Sequence, residues 1–170
     1  MPGDPAVPHL PAPRWARIAM SPTEPKPSLE EVARRLVEAG RHGALGTLDE
    51  RGGPFVSLAA YATDAEGRPV MLLSRLPEHT KNLARSPEAS LLVTEALAPE
   101  PLAAARVTLV GAVRAATASE RAELEPRYLA RHPDAAAWVG FADFAFFVLE
   151  VRASRVVEGF GRMKWIEAPK

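Results

Sequence analysis

The chain has 170 residues, 47% apolar and 25% charged, enough to bury the core of one globular domain and too apolar for general disorder. Its 21 Lys and Arg balance 21 Asp and Glu, so no basic field favours nucleic acid, and the absence of cysteine excludes disulfides, a thiol nucleophile and cysteine-bound metal. No apolar run approaches the roughly 20 residues of a membrane helix and prolines break up the N-terminus, so a cytoplasmic protein is expected, with no membrane or nucleic-acid partner.

Residues 1–27 hold eight of the 17 prolines and cannot form a helix. They read as an extended or disordered arm, with Trp15, Ile18 and Met20 available as anchors. A single domain is expected over residues 28–170. Ser28 and Glu31 have the spacing of a capping box, Leu29, Val32, Leu36 and Val37 share one helical face, and Gly40 is placed to end that helix.

From residue 42 the period changes to that of strands. His42 to Leu48, Pro54 to Thr63 and Pro69 to Ser74 read as a three-stranded meander, with Gly and Asp in both connections. A short helix is expected over residues 77–85, then strands at Ala89 to Thr94 and Arg106 to Ala115, separated by a loop over residues 96–103. Thr117 and Glu120 form a second capping-box pair, opening a helix that Pro133 stops by about Arg131. Asp143 to Val151 is a strand rich in Phe and Val, and Val156 to Ile166 closes the chain, with Gly159-Phe160-Gly161 as a turn. The class this implies is mainly β: a small antiparallel, Greek-key-like barrel with flanking helices.

The densest chemistry lies at the junction of a strand and the short helix: Ser74, Arg75, His79, Thr80, Lys81 and Asn82. Lys81 and a protonatable His79 in a first helical turn oppose the helix dipole, and an anion there would relieve the conflict. A solvated helix face explains the same cluster about as well. The histidines at 9, 42, 79 and 132 form no metal-binding spacing, and His132 reads as structural. No Gly-x-Ser-x-Gly elbow, phosphate-binding glycine loop or dinucleotide fingerprint occurs. Phe144, Phe146 and Phe147 read as core.

Together, Pro54-Phe-Val-Ser57, Ser74-Arg-Leu-Pro-Glu-His-Thr-Lys-Asn-Leu83, Pro87-Glu-Ala-Ser-Leu-Leu92 and Ala105-Arg-Val-Thr-Leu-Val-Gly-Ala-Val-Arg114 resemble the pyridoxamine 5′-phosphate oxidase-related family of FMN-binding split β-barrels. A helix with Tyr128-Leu-Ala-Arg-His-Pro133 follows the last of these. The ending Val157-Glu-Gly-Phe-Gly-Arg-Met-Lys-Trp-Ile166 resembles the haem-utilisation (HugZ-type) branch of that family. The resemblance, over residues 29–166, implies a homodimer with FMN at the subunit interface and an oxidoreductase acting on a small molecule. It implies that Ser57, Ser74 and Arg75 lie along the flavin and its phosphate, and that His79, Thr80, Lys81 and Asn82 hold the phosphate. Arg106 would approach the ring, while Gly159, Phe160, Gly161, Arg162 and Trp165 would border the substrate. The alternatives are a haem-binding or haem-utilisation protein on the same barrel, with Arg162 facing a propionate, and a non-catalytic flavin-binding module. No histidine follows His132, so ligation of haem by a C-terminal histidine, known in that branch, is not expected. Nor is oxidation of vitamin B6.

Overall fold

A computed structural model describes residues 26–95, 103–159 and 161–167. Along the chain run α1 (Leu29–Ala39), β1 (His42–Leu48), β2 (Pro54–Ala60), β3 (Ala62–Thr63), β4 (Pro69–Ser74) and α2 (Glu78–Arg85). They are followed by β5 (Glu88–Thr94), β6 (Arg106–Ala115), α3 (Ala118–Arg131), a 3₁₀ turn (Pro133–Ala137), β7 (Phe144–Glu158) and β8 (Arg162–Glu167). Residues 1–25, including the anchors expected in the arm, and most of the 96–103 loop lie outside the described residues. No described helix is long and apolar enough to cross a membrane.

The fold is mainly β, as expected, and antiparallel throughout, in the order β2-β1-β5-β6-β7-β4-β3, with β8 added beside β7. The two ends of this order, β2 and β3, are consecutive in the chain and separated only by Tyr61. One bent segment therefore belongs to both edges, and the sheet curls back on itself. The expected single strand Pro54 to Thr63 breaks here because Tyr61 is wholly buried at the corner. Its Oη–H donates to the Val37 carbonyl at 2.9 Å, while its backbone N–H donates to the Arg41 carbonyl. The expected three-stranded meander is corrected accordingly: β4 pairs with β3 and β7, not with β2.

β7 is longer than the sequence implies, because it runs through Arg152 rather than ending at Val151. Arg152 is the extra residue of a bulge, since Val110 faces Ala153 and Gly111 faces Val151. Gly111 permits the close approach: a Cβ there would lie 2.0 Å from the Glu150 carbonyl oxygen. One edge of β7 pairs with β6 along its length. The other edge is shared, β4 taking its first residues and β8 its last.

Cross-strand partners point to the same side of a sheet, which sorts the two faces. The inner row is Ser57, Leu45, Leu91, Leu109, Ser154 and Ile166. Leu45 and Leu91 are wholly buried, each contributing about 1.5–3 kcal/mol of transfer free energy. Val32, Ala33 and Val37 of α1 and Leu83 of α2 complete this core. Both predicted capping boxes form, Ser28 with Glu31 and Thr117 with Glu120. α3 packs Leu124 and Tyr128 outside the barrel on Val70, Leu72, Phe146 and Val148. It continues past Pro126 because Pro126 and Ala122 are exposed, so the carbonyl that loses its partner faces water. α3 ends at Arg131, whose guanidinium caps the carbonyls of Glu38 and Gly40 at the end of α1.

α3 covers β3, β4 and the start of β7. The outer face of β2, β1, β5, β6, the end of β7 and β8 is covered by nothing among the described residues. One outward row is Leu58, Ala44, Leu92, Thr108, Arg155 and Trp165. Leu58 is 73% exposed, and Val56, Met163 and Trp165 are exposed on the same face.

Candidate functional site

The Leu73–Leu83 segment descends from β4, turns at Arg75–Pro77 and enters α2 with Pro77 as its N-cap. Pro77 supplies no side-chain cap, but Asp143, just before β7, fixes the turn from outside. Ser74 Oγ donates to Asp143 Oδ2 at 2.7 Å, and the Arg75 N–H donates to the Asp143 carbonyl at 2.9 Å. Leu76 and the guanidinium of Arg75 are held out into solvent, and that guanidinium has no partner among the described residues.

Within α2 the side chains divide. Asn82 is fully buried and donates through Nδ2 to Thr47 Oγ1 at 3.1 Å. Thr80 is buried beside it, and Thr80 Oγ1 and Asn82 Oδ1 have no hydrogen-bond partner among the described residues. His79 lies half-buried against β2, with Nδ1 3.0 Å from Ser57 Oγ. Burial pushes its pKa below the usual histidine range, so the ring is held neutral. Lys81 is exposed and lies 3.5 Å from Glu78, which stands in the same first turn.

This geometry removes the anomaly from which a phosphate was inferred. Glu78 complements the helix dipole and Lys81 together, and His79 carries no charge near neutral pH. Thr80 and Asn82 turn toward the core, and Ser74 is taken by Asp143. Of the set expected to grip a dianion, only Arg75 and Lys81 present cations to solvent.

The remaining expected residues do not join this cluster. Arg106 opens β6 opposite Thr94 and Val157 on the outward face, where its Nη1 donates to the Ala104 carbonyl at 3.4 Å. Gly159 and Gly161 form the expected turn with φ of 60° and 90°, and Phe160 between them lies outside the described residues. Arg162 and Trp165 stand on opposite faces of β8. Arg162 pairs with Glu158 and donates to the Pro27 carbonyl at 2.9 Å, beside the entry to α1. Trp165 looks outward, with the Arg155 guanidinium 5.8 Å from its ring centroid. Arg155 was missed by sequence reading; its alternation with the buried Val156 was the available signal.

Three or more metal-ligating side chains do not cluster anywhere among the described residues. What the surface offers is a wide apolar sheet face edged by Arg106 and Arg155, and a turn that exposes Leu76 between Arg75 and the neutral His79.

An antiparallel barrel with flanking helices and one sheet face uncovered among the described residues is a split-barrel domain. The family model for the CREG β-barrel matches residues 25–170, and the chain belongs to that family. It is 36% identical over 133 residues to the non-canonical heme oxygenase HOZ, chloroplastic, of Arabidopsis thaliana, covering 77% of this chain and 40% of the relative. A heme binding protein from Mycobacterium smegmatis superposes with a TM-score of 0.79 at 34% identity, over 85% of this chain and 60% of that one. A protein of the pyridoxinephosphate oxidase family from Clostridium acetobutylicum shares the fold at a TM-score of 0.62 and 15% identity, over 82% and 93% of the two chains. The chain thus spans less than two thirds of the two more similar relatives.

The expectation of FMN is corrected. Two relatives above 30% identity are named for heme, and the donors assigned to the flavin phosphate, Arg75 and Lys81 apart, are buried, paired or uncharged. The split-barrel fold and the likeness to the haem-utilisation branch stand.

Proposed function

We propose that this domain binds haem, as a homodimer formed across the uncovered sheet face. The observation that carries the reading is that face itself: an apolar surface reaching from Leu58 to Trp165, edged by arginines and covered by none of the described residues. Haem is a flat apolar ring with two carboxylates, so it needs apolar walls and a few cations in place of a dianion cradle. Arg75 and Lys81 suit the propionates, since both reach solvent and neither is needed by the fold. Leu76, 74% exposed between them in sequence, offers apolar contact. The likeness to two proteins named for heme supports the same choice. Ser57, Thr80 and Asn82 act in this reading by supporting α2 and His79. Arg106 and Arg155 serve the face shared by two copies.

Titration of the purified chain with hemin, followed by the Soret band and by sedimentation, tests the proposal. Saturable binding to a dimer is expected, weakened in an Arg75→Ala/Lys81→Ala double variant. No Soret change on titration, or binding indifferent to the double variant, refutes it.

A further inference from the structure

Three histidines lie among the described residues, and the fold treats them differently. His132 uses Nε2 to donate to the Tyr61 carbonyl oxygen at 2.8 Å. His42 is exposed and held only by the edge of the His132 ring, with centroids 5.7 Å apart. His132 is fixed through a backbone carbonyl and packed on Tyr128, with ring centroids 4.8 Å apart, whereas His79 is fixed by a side chain beside two exposed cations in the sequence. Its Nδ1 contacts Ser57 Oγ at 3.0 Å, whereas Nε2 has no partner among the described residues and is not sealed from solvent.

An imidazole that ligates a metal must be neutral, with one nitrogen open and the other tied by a hydrogen bond that sets the tautomer and aims the ring. With Nδ1–H donating to Ser57 Oγ, Nε2 keeps its lone pair and is not sealed from solvent. Arg75 lies four residues before His79 and Lys81 two after, so the same short segment carries two exposed cations.

We propose, building on the reading that the domain binds haem, that His79 Nε2 is the axial ligand of the haem iron and that Ser57 is the positioning residue that aims it. The same Ser57–His79 contact would also suit a serine nucleophile and its base. That arrangement needs a carboxylate on the second ring nitrogen, and Nε2 has none. The ligation forms one coordinate bond from the Nε2 lone pair and requires no oxidant or reductant.

The test is hemin titration of the wild-type chain and of His79→Gln, Ser57→Ala and His42→Gln, read by the Soret maximum and by ferric electron paramagnetic resonance. Circular dichroism checks folding. Imidazole-type spectra are expected for wild type and His42→Gln. His79→Gln should still take up haem through its other contacts but lose that signature, and added imidazole should restore it. Ser57→Ala should keep the ligand type while weakening binding by about 10- to 100-fold, as loss of an outer hydrogen bond to a ligating histidine does. Wild-type spectra in His79→Gln, or loss of the signature in His42→Gln instead, overturn the assignment while leaving haem binding intact. Failure of the wild-type chain to bind hemin overturns the underlying reading.

Discussion

The corner at Tyr61 permits a sharp energetic test. A Cβ added at Gly40 would lie 2.2 Å from Tyr61 Oη and 2.9 Å from Val93 Cγ1. Gly40 itself has φ −65° and ψ 151°, which alanine adopts without strain, so the cost of Gly40→Ala is steric. Overpacking of this kind costs about 1–3 kcal/mol. Tyr61→Phe removes the hydroxyl and leaves the Val37 carbonyl without its partner, a loss of about 1–2 kcal/mol. In the double variant the phenylalanine ring no longer carries the atom that the added methyl group would strike, so part of the first cost disappears. The two losses should therefore fall short of additivity by about 1 kcal/mol. Urea unfolding followed by tryptophan fluorescence measures this, since about 1 kcal/mol moves the midpoint by about 0.5 M when m is about 2 kcal/mol/M. Additivity within about 0.3 kcal/mol would show that Oη does not set the spacing between α1 and the barrel corner, and that the packing described there is wrong.

Gly111→Ala should be among the most damaging single changes, at about 2 kcal/mol or more, because the new Cβ meets the Glu150 carbonyl, which cannot move without breaking the β6–β7 ladder; urea unfolding measures it. Leu58 is exposed on the single chain, so Leu58→Glu should leave the circular dichroism of the folded state near wild type, yet give a monomer by sedimentation. A dimer that survives this change removes the sheet face as its interface. Burial lowers the pKa of both His79 and His132 below 6.5. The unfolded chain therefore takes up protons that the folded chain resists, and stability, full above pH 6.5, falls as pH drops toward the folded-state values. His132→Gln should flatten that slope in unfolding measured from about pH 7 to 5. Glu120, held at a pKa of about 2 chiefly by Arg114, acts in a lower window. Its contribution is complete above 4.5, fades toward pH 2, and should shrink, without vanishing, in the acid-unfolding curve of Arg114→Met, because Thr117 still holds the carboxylate.

Wherever the pattern was local, the sequence was legible. Ser28 with Glu31 and Thr117 with Glu120 marked both helix starts, alternation located β1 and β6, and a short apolar run located β4. The pairing of strands was not local. Nothing near Tyr61 in the sequence says that one extended segment turns a corner and joins both edges of the sheet. The site was half legible for a related reason. Composition showed that polar and cationic side chains crowd the start of α2, but not that Thr80 and Asn82 face inward or that Glu78 satisfies Lys81. Which way a side chain turns depends on packing against β1 and β2. A charge cluster thus looked like an anion site when most of its members were already satisfied. Arg162 and Trp165 were grouped by the family resemblance of one short ending, though an odd spacing on a strand sends them to opposite faces.

That spacing makes β8 a strand with two attachments. Outward it carries Met163 and Trp165; inward Arg162 and Lys164 hold the Pro27 carbonyl and Glu30, where the chain enters α1. Whatever settles on the outer face pulls on the same backbone that anchors the first helix. Occupancy of that face should therefore be felt at the opposite end of the sequence, as amide exchange slowing together in β8 and in the first turn of α1.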